Sequence, residues 1–303
     1  MQIKFSHVNH TYSKKTPFEY NALKDINLEL EGHFFTSLIG QTGSGKSTLV
    51  QHINGLLLPT SGEVSLDNYQ IYTKGKKACF IDLNSTKKRI FHKKKQYDVK
   101  LLRKKAGLVF QFPEYQLFEP TIIQDVMYGP LNFKVSQEQA KKQAEEALKL
   151  VGLDSSFYDK SPFELSGGQK RRVAIAGILA LNPDVLILDE PTAGLDPLGE
   201  KQMMELFNNI YNQGKNIILV THNMDIVLKY VKNCIVMDKG QIIFNGKPLD
   251  LFQDSSILEK SAIRPPEVFN VANKLIENGL ALDLKNIKDV ESLALEIKRV
   301  KND

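Results

Sequence analysis

The sequence predicts an α/β fold with a mainly parallel core sheet covered on both faces. The first observation is an alternation beyond Pro183: strand Val185–Leu188, helix Gly199–Gln213, strand Asn216–Val220, helix Asp225–Val231, strand Cys234–Met237. Strands that are apolar along their whole length are buried on both faces, which is how parallel sheets read. The second is the apolar run Phe34–Ile39, which enters the glycine-rich stretch Gly40–Ser47 and then a helix from Lys46 to about Asn54. A strand, a glycine turn and a helix in that order form the core of a phosphate-binding unit.

The remaining elements follow in chain order. Ile3, Phe5 and Val8, then Ile26, Leu28 and Leu30, alternate with polar residues until Gly32 breaks the run, so residues 2–39 read as strands. A strand at Glu63–Leu66 precedes a basic stretch at about 73–99, and another strand is expected around Leu108–Phe110. Residues 121–181 read as mostly helical. Within them Ala140, Ala144, Ala147, Leu148 and Val151 recur at helical spacing, with Lys and Glu opposite. Lys239-Gly240 turns a hairpin into Gln241–Phe244. Near the end, one amphipathic helix starts at Pro265-Pro266 and closes at Gly279, and a second spans Val290–Val300. Two short helices cannot support a core alone, so they are expected to pack on the main domain or on a partner.

Composition narrows the function classes. Apolar residues make up 42% and charged residues 25% of 303, the profile of an ordinary globular chain. The longest aliphatic runs span only a few residues, far short of the roughly 20 that a helix needs to cross a bilayer. Met1–Phe5 lacks a secretory pattern. Cys79 and Cys234 form no pair motif, which argues against disulfide or zinc scaffolding and fits a reducing cytosol. Thirteen Lys/Arg against two Asp fall between Lys74 and Lys105, so that stretch carries +11 of the net +5 and the rest of the chain is −6. A general nucleic-acid-binding reading loses its support.

Three motifs carry chemistry. Gly40-Gln41-Thr42-Gly43-Ser44-Gly45-Lys46-Ser47 fits the P-loop pattern. Its glycines let successive N–H groups point at phosphate oxygens, Lys46 supplies a mobile positive charge, and the Ser47 hydroxyl suits Mg²⁺. Asp189-Glu190 stands at the carboxyl end of a buried strand, where open α/β sheets bind ligands. Asp189 is assigned to the metal and Glu190 to the base that polarises an attacking water. Leu165-Ser166-Gly167-Gly168-Gln169 opens a helix, with Ser166 as its N-cap and bare glycine N–H groups beside it. Because Gly40–Ser47 already forms a full cradle, this second anion site points to a phosphate held by another subunit.

These residues resemble the ATPase subunit of ABC transporters. The Walker A loop is Gly40–Thr48, the signature Leu165–Gln169 and the Walker B strand Val185–Glu190. Ala193–Asp196 resembles the D-loop, Gln111 the Q-loop glutamine and His222 the switch histidine, while Tyr12 stands where an aromatic stacks on adenine. Phe110–Glu119, Tyr128–Pro130, Ser161–Glu164 and Arg171–Gly177 resemble the energy-coupling factor importers, and the chain looks like the second ATPase of their pair. The stretch at 73–99 departs from that family as an insertion.

The resemblance implies an ABC-ATPase fold with an antiparallel β subdomain. It divides the chain into an ATPase domain at 1–247, including a helical signature subdomain at about 112–181, and a C-terminal helical extension at 248–303 that serves dimerisation. It further implies ATP and Mg²⁺ as ligands, with Glu190, His222 and Gln111 as catalytic residues and Ser47, Gln111 and Asp189 at the metal. Tyr12, Gly40–Thr48 and Ser166–Gln169 would bind nucleotide, the last group across a head-to-tail ATPase dimer. The implied partners are a second ATPase, a transmembrane coupling subunit docked near Phe112–Phe118 and a substrate-binding membrane subunit, on the cytoplasmic side of the cell membrane. Nucleic acid is not expected. A dedicated cobalt or nickel importer is the nearest alternative, and an ABC ATPase acting on nucleic acid a more distant one. The insertion reads either as a solvated loop or as a contact to anionic lipid headgroups.

Overall fold

The computed structural model describes residues 1–74, 77–83 and 99–302. The chain opens with β1 (Gln2–Tyr12), β2 (Tyr20–Glu31) and β3 (Phe35–Ile39), followed by α1 (Lys46–Ile53). Then come β4 (Ser61–Leu66), β5 (Tyr69–Lys74), β6 (Lys77–Asp82), α2 (Val99–Lys105) and β7 (Ala106–Val109). Helices α3 (Ile122–Asn132), α4 (Gln137–Leu150) and α5 (Gly167–Leu179) form the helical middle. Strand and helix then alternate through β8 (Val185–Asp189), α6 (Pro197–Asn212), β9 (Asn216–Val220), α7 (Met224–Tyr230) and β10 (Asn233–Asp238). The chain ends with β11 (Gln241–Gly246), α8 (Pro248–Gln253), α9 (Ser255–Ser261), α10 (Glu267–Glu277) and α11 (Val290–Asn302).

Two sheets result. The larger has the order β11-β10-β3-β9-β8-β7, parallel throughout except for β11. The smaller is antiparallel, in the order β2-β1-β4-β5-β6. Successive residues of a strand face opposite sides, and the core divides accordingly. Val185 and Ile187 join a cluster with Ile3, Phe5, Leu49 and Val64 on the side of the antiparallel sheet and α1. Leu186 and Leu188 join Ile122, Val173, Phe207 and Val227 on the side of the helices. The apolar central strands thus feed both halves of the core.

The structure departs from the sequence-based expectation in the antiparallel sheet and just after β11. The antiparallel sheet is longer than Glu63–Leu66 suggests, because β5 and β6 extend it, with Ile71 and Phe80 buried and Tyr69 stacked on Phe80 at 5.6 Å. The basic stretch therefore begins in β5 and ends in α2; residues 75–76 and 84–98, with most of the lysines read as a contact to lipid headgroups, lie outside the described residues. Helices α8 and α9 lie within the helical extension expected at 248–303, although each is too short to give a periodic signal of its own. The C-terminal helices pack on the main domain: Leu251, Phe252, Val268, Phe269 and Ala272 belong to the same buried cluster as Leu188 and Phe207. No helix among the described residues is long and apolar enough to cross a membrane.

Candidate functional site

Strand β3 is buried at all five positions and delivers the chain into Gly40 at the carboxyl edge of the parallel sheet. Gly40 has φ +145°, and a Cβ there would stand 2.2 Å from the carbonyl oxygen of Met237. Gly45, at φ +106°, would meet the Ala22 carbonyl at 2.7 Å. Only glycine passes between these neighbours in that conformation. The loop closes on itself through Ser44 N–H to the Gln41 carbonyl at 3.1 Å, and Gly240 N–H donates to the Ser44 carbonyl at 3.0 Å. Lys46 Nζ donates to the Gly40 and Gln41 carbonyls at 2.7 and 2.9 Å. Burial lowers the Lys46 pKa, while Glu190 and Asp189 pull it back up.

A cavity of about 420 Å³ opens over this loop. One wall is Thr42, Gly43 and Gly45 to Thr48; the other holds Gln111, Asp189, Glu190, Val220 and His222. Strand β8 ends at Asp189, whose pKa burial raises, against the hydrogen bond from Ser47 and the charge of Lys46. Glu190 follows at φ +50°, a left-handed conformation that costs a non-glycine residue free energy. Its N–H donates to the Val220 carbonyl at 3.0 Å, which ties that turn to β9. His222 Nδ1 lies 3.0 Å from the Glu190 carboxylate, so Nδ1 carries the proton, and the ring is otherwise largely open to solvent.

The chemistry of this lining fits a nucleotide with a divalent ion. Backbone N–H groups and an ammonium suit polyphosphate. The Ser47 hydroxyl, the Asp189 carboxylate and the Gln111 amide oxygen are hard oxygen donors of the kind Mg²⁺ takes. The Ser44 hydroxyl is buried beneath the loop without a hydrogen-bond partner among the described residues.

Other sequence-derived residues stand elsewhere. Gly40 and Gln41 line an adjoining cavity of about 410 Å³ that shares Thr42, Lys46, Glu190 and His222 with the first and is closed by Ser261–Arg264. Tyr12 lies outside both linings; its hydroxyl is 3.1 Å from Thr48 Oγ1 and its ring stands edge-on to His10. Ser166–Gln169 also lies outside both. There Gln169 N–H donates to Ser166 Oγ at 3.4 Å and Ser166 N–H to Gln169 Oε1 at 3.0 Å, a capping box that heads α5, with Gly167 exposed and Gly168 half-buried beside it.

Tyr20 and Arg264 are among the cavity-lining residues that sequence reasoning missed. Tyr20 lines the first and donates its hydroxyl to the Gly43 carbonyl at 2.9 Å. Arg264 lines the second. Neither belongs to a motif, and each reaches the loop from a distant stretch of chain, so no local pattern announces it.

Residues 23–193 match the ABC transporter family. The chain is 46% identical to the energy-coupling factor transporter ATP-binding protein EcfA2 of Spiroplasma kunkelii, over 98% of this chain and 92% of that one. It is 47% identical to EcfA2 of Streptococcus pyogenes serotype M28, over 96% and 99%. Among solved structures it is similar to cbiO1 of Clostridium perfringens, part of the ABC transporter complex cbiONQ. That likeness has a TM-score of 0.69 and 37% identity, covering 91% of this chain and 98% of that one. It is also similar to the ATP-binding cassette MJ0796 in a dimeric post-hydrolysis state with ADP and Pi. There the TM-score is 0.65 and the identity 31%, over 81% and 98%.

Proposed function

The chain belongs to the ABC transporter family and, within it, to the energy-coupling factor ATP-binding proteins, and on that premise we propose that it hydrolyses ATP to energise an importer of vitamins or other micronutrients. The observation that carries this reading is the cavity itself, which gathers Gly43, Gly45–Thr48, Gln111, Asp189, Glu190 and His222 on one surface while Ser166–Gln169 stands apart. A single chain thus offers two unlike half-sites. Gly40–Thr48 holds the phosphates, and Ser166–Gln169 completes the site of a second ATPase docked head to tail.

Roles follow from chemistry. Lys46 neutralises the β- and γ-phosphates. Ser47, Asp189 and Gln111 hold Mg²⁺, which supplies charge neutralisation at the phosphate oxygens when bound. Glu190, whose side chain is mostly buried and held by His222, polarises the attacking water. His222 senses the terminal phosphate, and Gln111 reports on it to the docking surface. Tyr12 stacks on adenine, held by Thr48. Phosphate charge favours the closed pair and hydrolysis removes it, so the nucleotide switches the dimer between two states. The partners are a second ATPase, a transmembrane coupling subunit and a substrate-binding membrane subunit, with this chain peripheral on the cytoplasmic face. Exposed Phe112, Tyr115 and Phe118 support docking of an apolar helix there. The C-terminal helices contribute to the dimer contact.

Affinity purification of the tagged chain from native membranes tests the proposal. The expected result is recovery of a second, non-identical ATPase together with integral membrane proteins. Recovery of a verified monomer that turns over ATP at full rate would refute it.

A further inference from the structure

Arg171, two residues beyond the Ser166–Gln169 motif in α5, is 3% exposed. Its guanidinium reaches two other segments of the chain. Nε and Nη2 form a bidentate pair with the Glu114 carboxylate at 3.0 and 2.7 Å. Nη1 donates to the carbonyl oxygens of Pro191 at 3.2 Å and Ala193 at 2.8 Å. The Phe112 ring lies 5.7 Å from its central carbon. Burial works to raise the Glu114 pKa, yet the hydrogen bonds from Arg171 leave it below the ordinary carboxylate value.

Each anchor sits close to a functional residue: Glu114 three positions after Gln111, Pro191 directly after Glu190, and Arg171 five positions after Ser166. A planar fork with fixed donor directions holds a carboxylate and two carbonyls at once, which a flexible ammonium with one centre of charge cannot do. We propose that Arg171 is a positioning residue that joins the turn after Gln111, the turn after Glu190 and the helix headed by Ser166 into one body, so that nucleotide engagement at Glu190 is relayed to residues 114–117. The relay rests on the nucleotide reading above and adds to it a named mechanical link.

Hydrogen–deuterium exchange of the full chain, with and without Mg²⁺ and the non-hydrolysable analogue AMP-PNP, tests the relay in wild type, Arg171→Lys and Glu114→Gln. In wild type the analogue slows exchange at 40–47, 192–195 and 114–117 together. In both variants the slowing at 40–47 persists, while that at 114–117 falls by about fivefold or more, the lower end of coupling between sites. Arg171→Lys keeps the charge beside Glu114, so its failure to restore the response separates a three-way brace from simple neutralisation. Glu114→Gln keeps the side-chain shape and decides the matter if the lysine variant does not fold. A wild-type response at 114–117 in these variants overturns the relay and leaves the pair a support of the fold. No wild-type response at 114–117, with 40–47 responding, also overturns it. No response at 40–47 in wild type overturns the nucleotide reading itself.

Discussion

Acidification should weaken the fold beneath the phosphate loop through His52, by an amount that the structure sets. His52 is fully buried in α1, with Nδ1 2.7 Å from the Thr48 carbonyl, and burial pushes its pKa down to about 4. The unfolded chain takes up this proton near pH 6.5. Between about pH 6.5 and 4 the unfolded state therefore binds more protons, and stability falls as pH falls through that window. A shift of about 2.5 units corresponds to about 3 kcal/mol in full, of which about 2 kcal/mol is lost between pH 7 and 5. Equilibrium urea unfolding at pH 7 and pH 5 of wild type and His52→Leu reads this difference directly. His10, packed edge-on against His52 at 4.8 Å and also lowered by burial, is present in both chains. Wild type should lose about 2 kcal/mol more than the variant over that interval. Parallel losses in the two chains would refute the reasoning. Because α1 carries Lys46, Ser47 and Thr48, nucleotide affinity should decline across the same pH range.

Four further outcomes are expected. Gly40→Ala forces a Cβ against the Met237 carbonyl at a left-handed φ and should cost about 3 kcal/mol; unchanged thermal unfolding and unchanged ATP affinity would contradict it. Glu190→Gln should bind ATP normally yet lose roughly 10²- to 10⁴-fold in turnover, trapping a closed dimer, and wild-type hydrolysis rates would remove Glu190 as base. Asp289 pairs with Lys229 at 2.7 Å, and that hydrogen bond holds its carboxyl down at about 2. The contribution is complete above about pH 4 and fades toward pH 2, so Asp289→Asn at pH 7 should lose roughly 1 kcal/mol after solvent screening, read as faster amide exchange in α11. Phe112→Ser with Tyr115→Ser should abolish co-purification with the membrane subunit, and intact recovery would place docking elsewhere.

Legibility in the sequence followed locality. The central strands announce themselves because Val185–Leu188 and Ile217–Val220 are buried on both faces and so are apolar throughout. Ser166 was readable as a helix cap because its partner, Gln169, is three residues away. By contrast, β5 and β6 are obscured by Lys74 and Lys77 at their facing ends, although Ile71 and Phe80 are buried.

The linear order of residues determined the phosphate loop, the acidic pair at the end of β8 and the helix cap at Ser166, because each is a run of neighbours whose backbone conformation and side chains act together. Tertiary structure alone decided that Tyr20 and Arg264 line the cavities, that His52 is buried neutral, and that Arg171 holds Glu114, Pro191 and Ala193 at once. These depend on parts of the chain brought together by the sheet and its helices, and the desolvation that gives them their energies exists only after the core has closed.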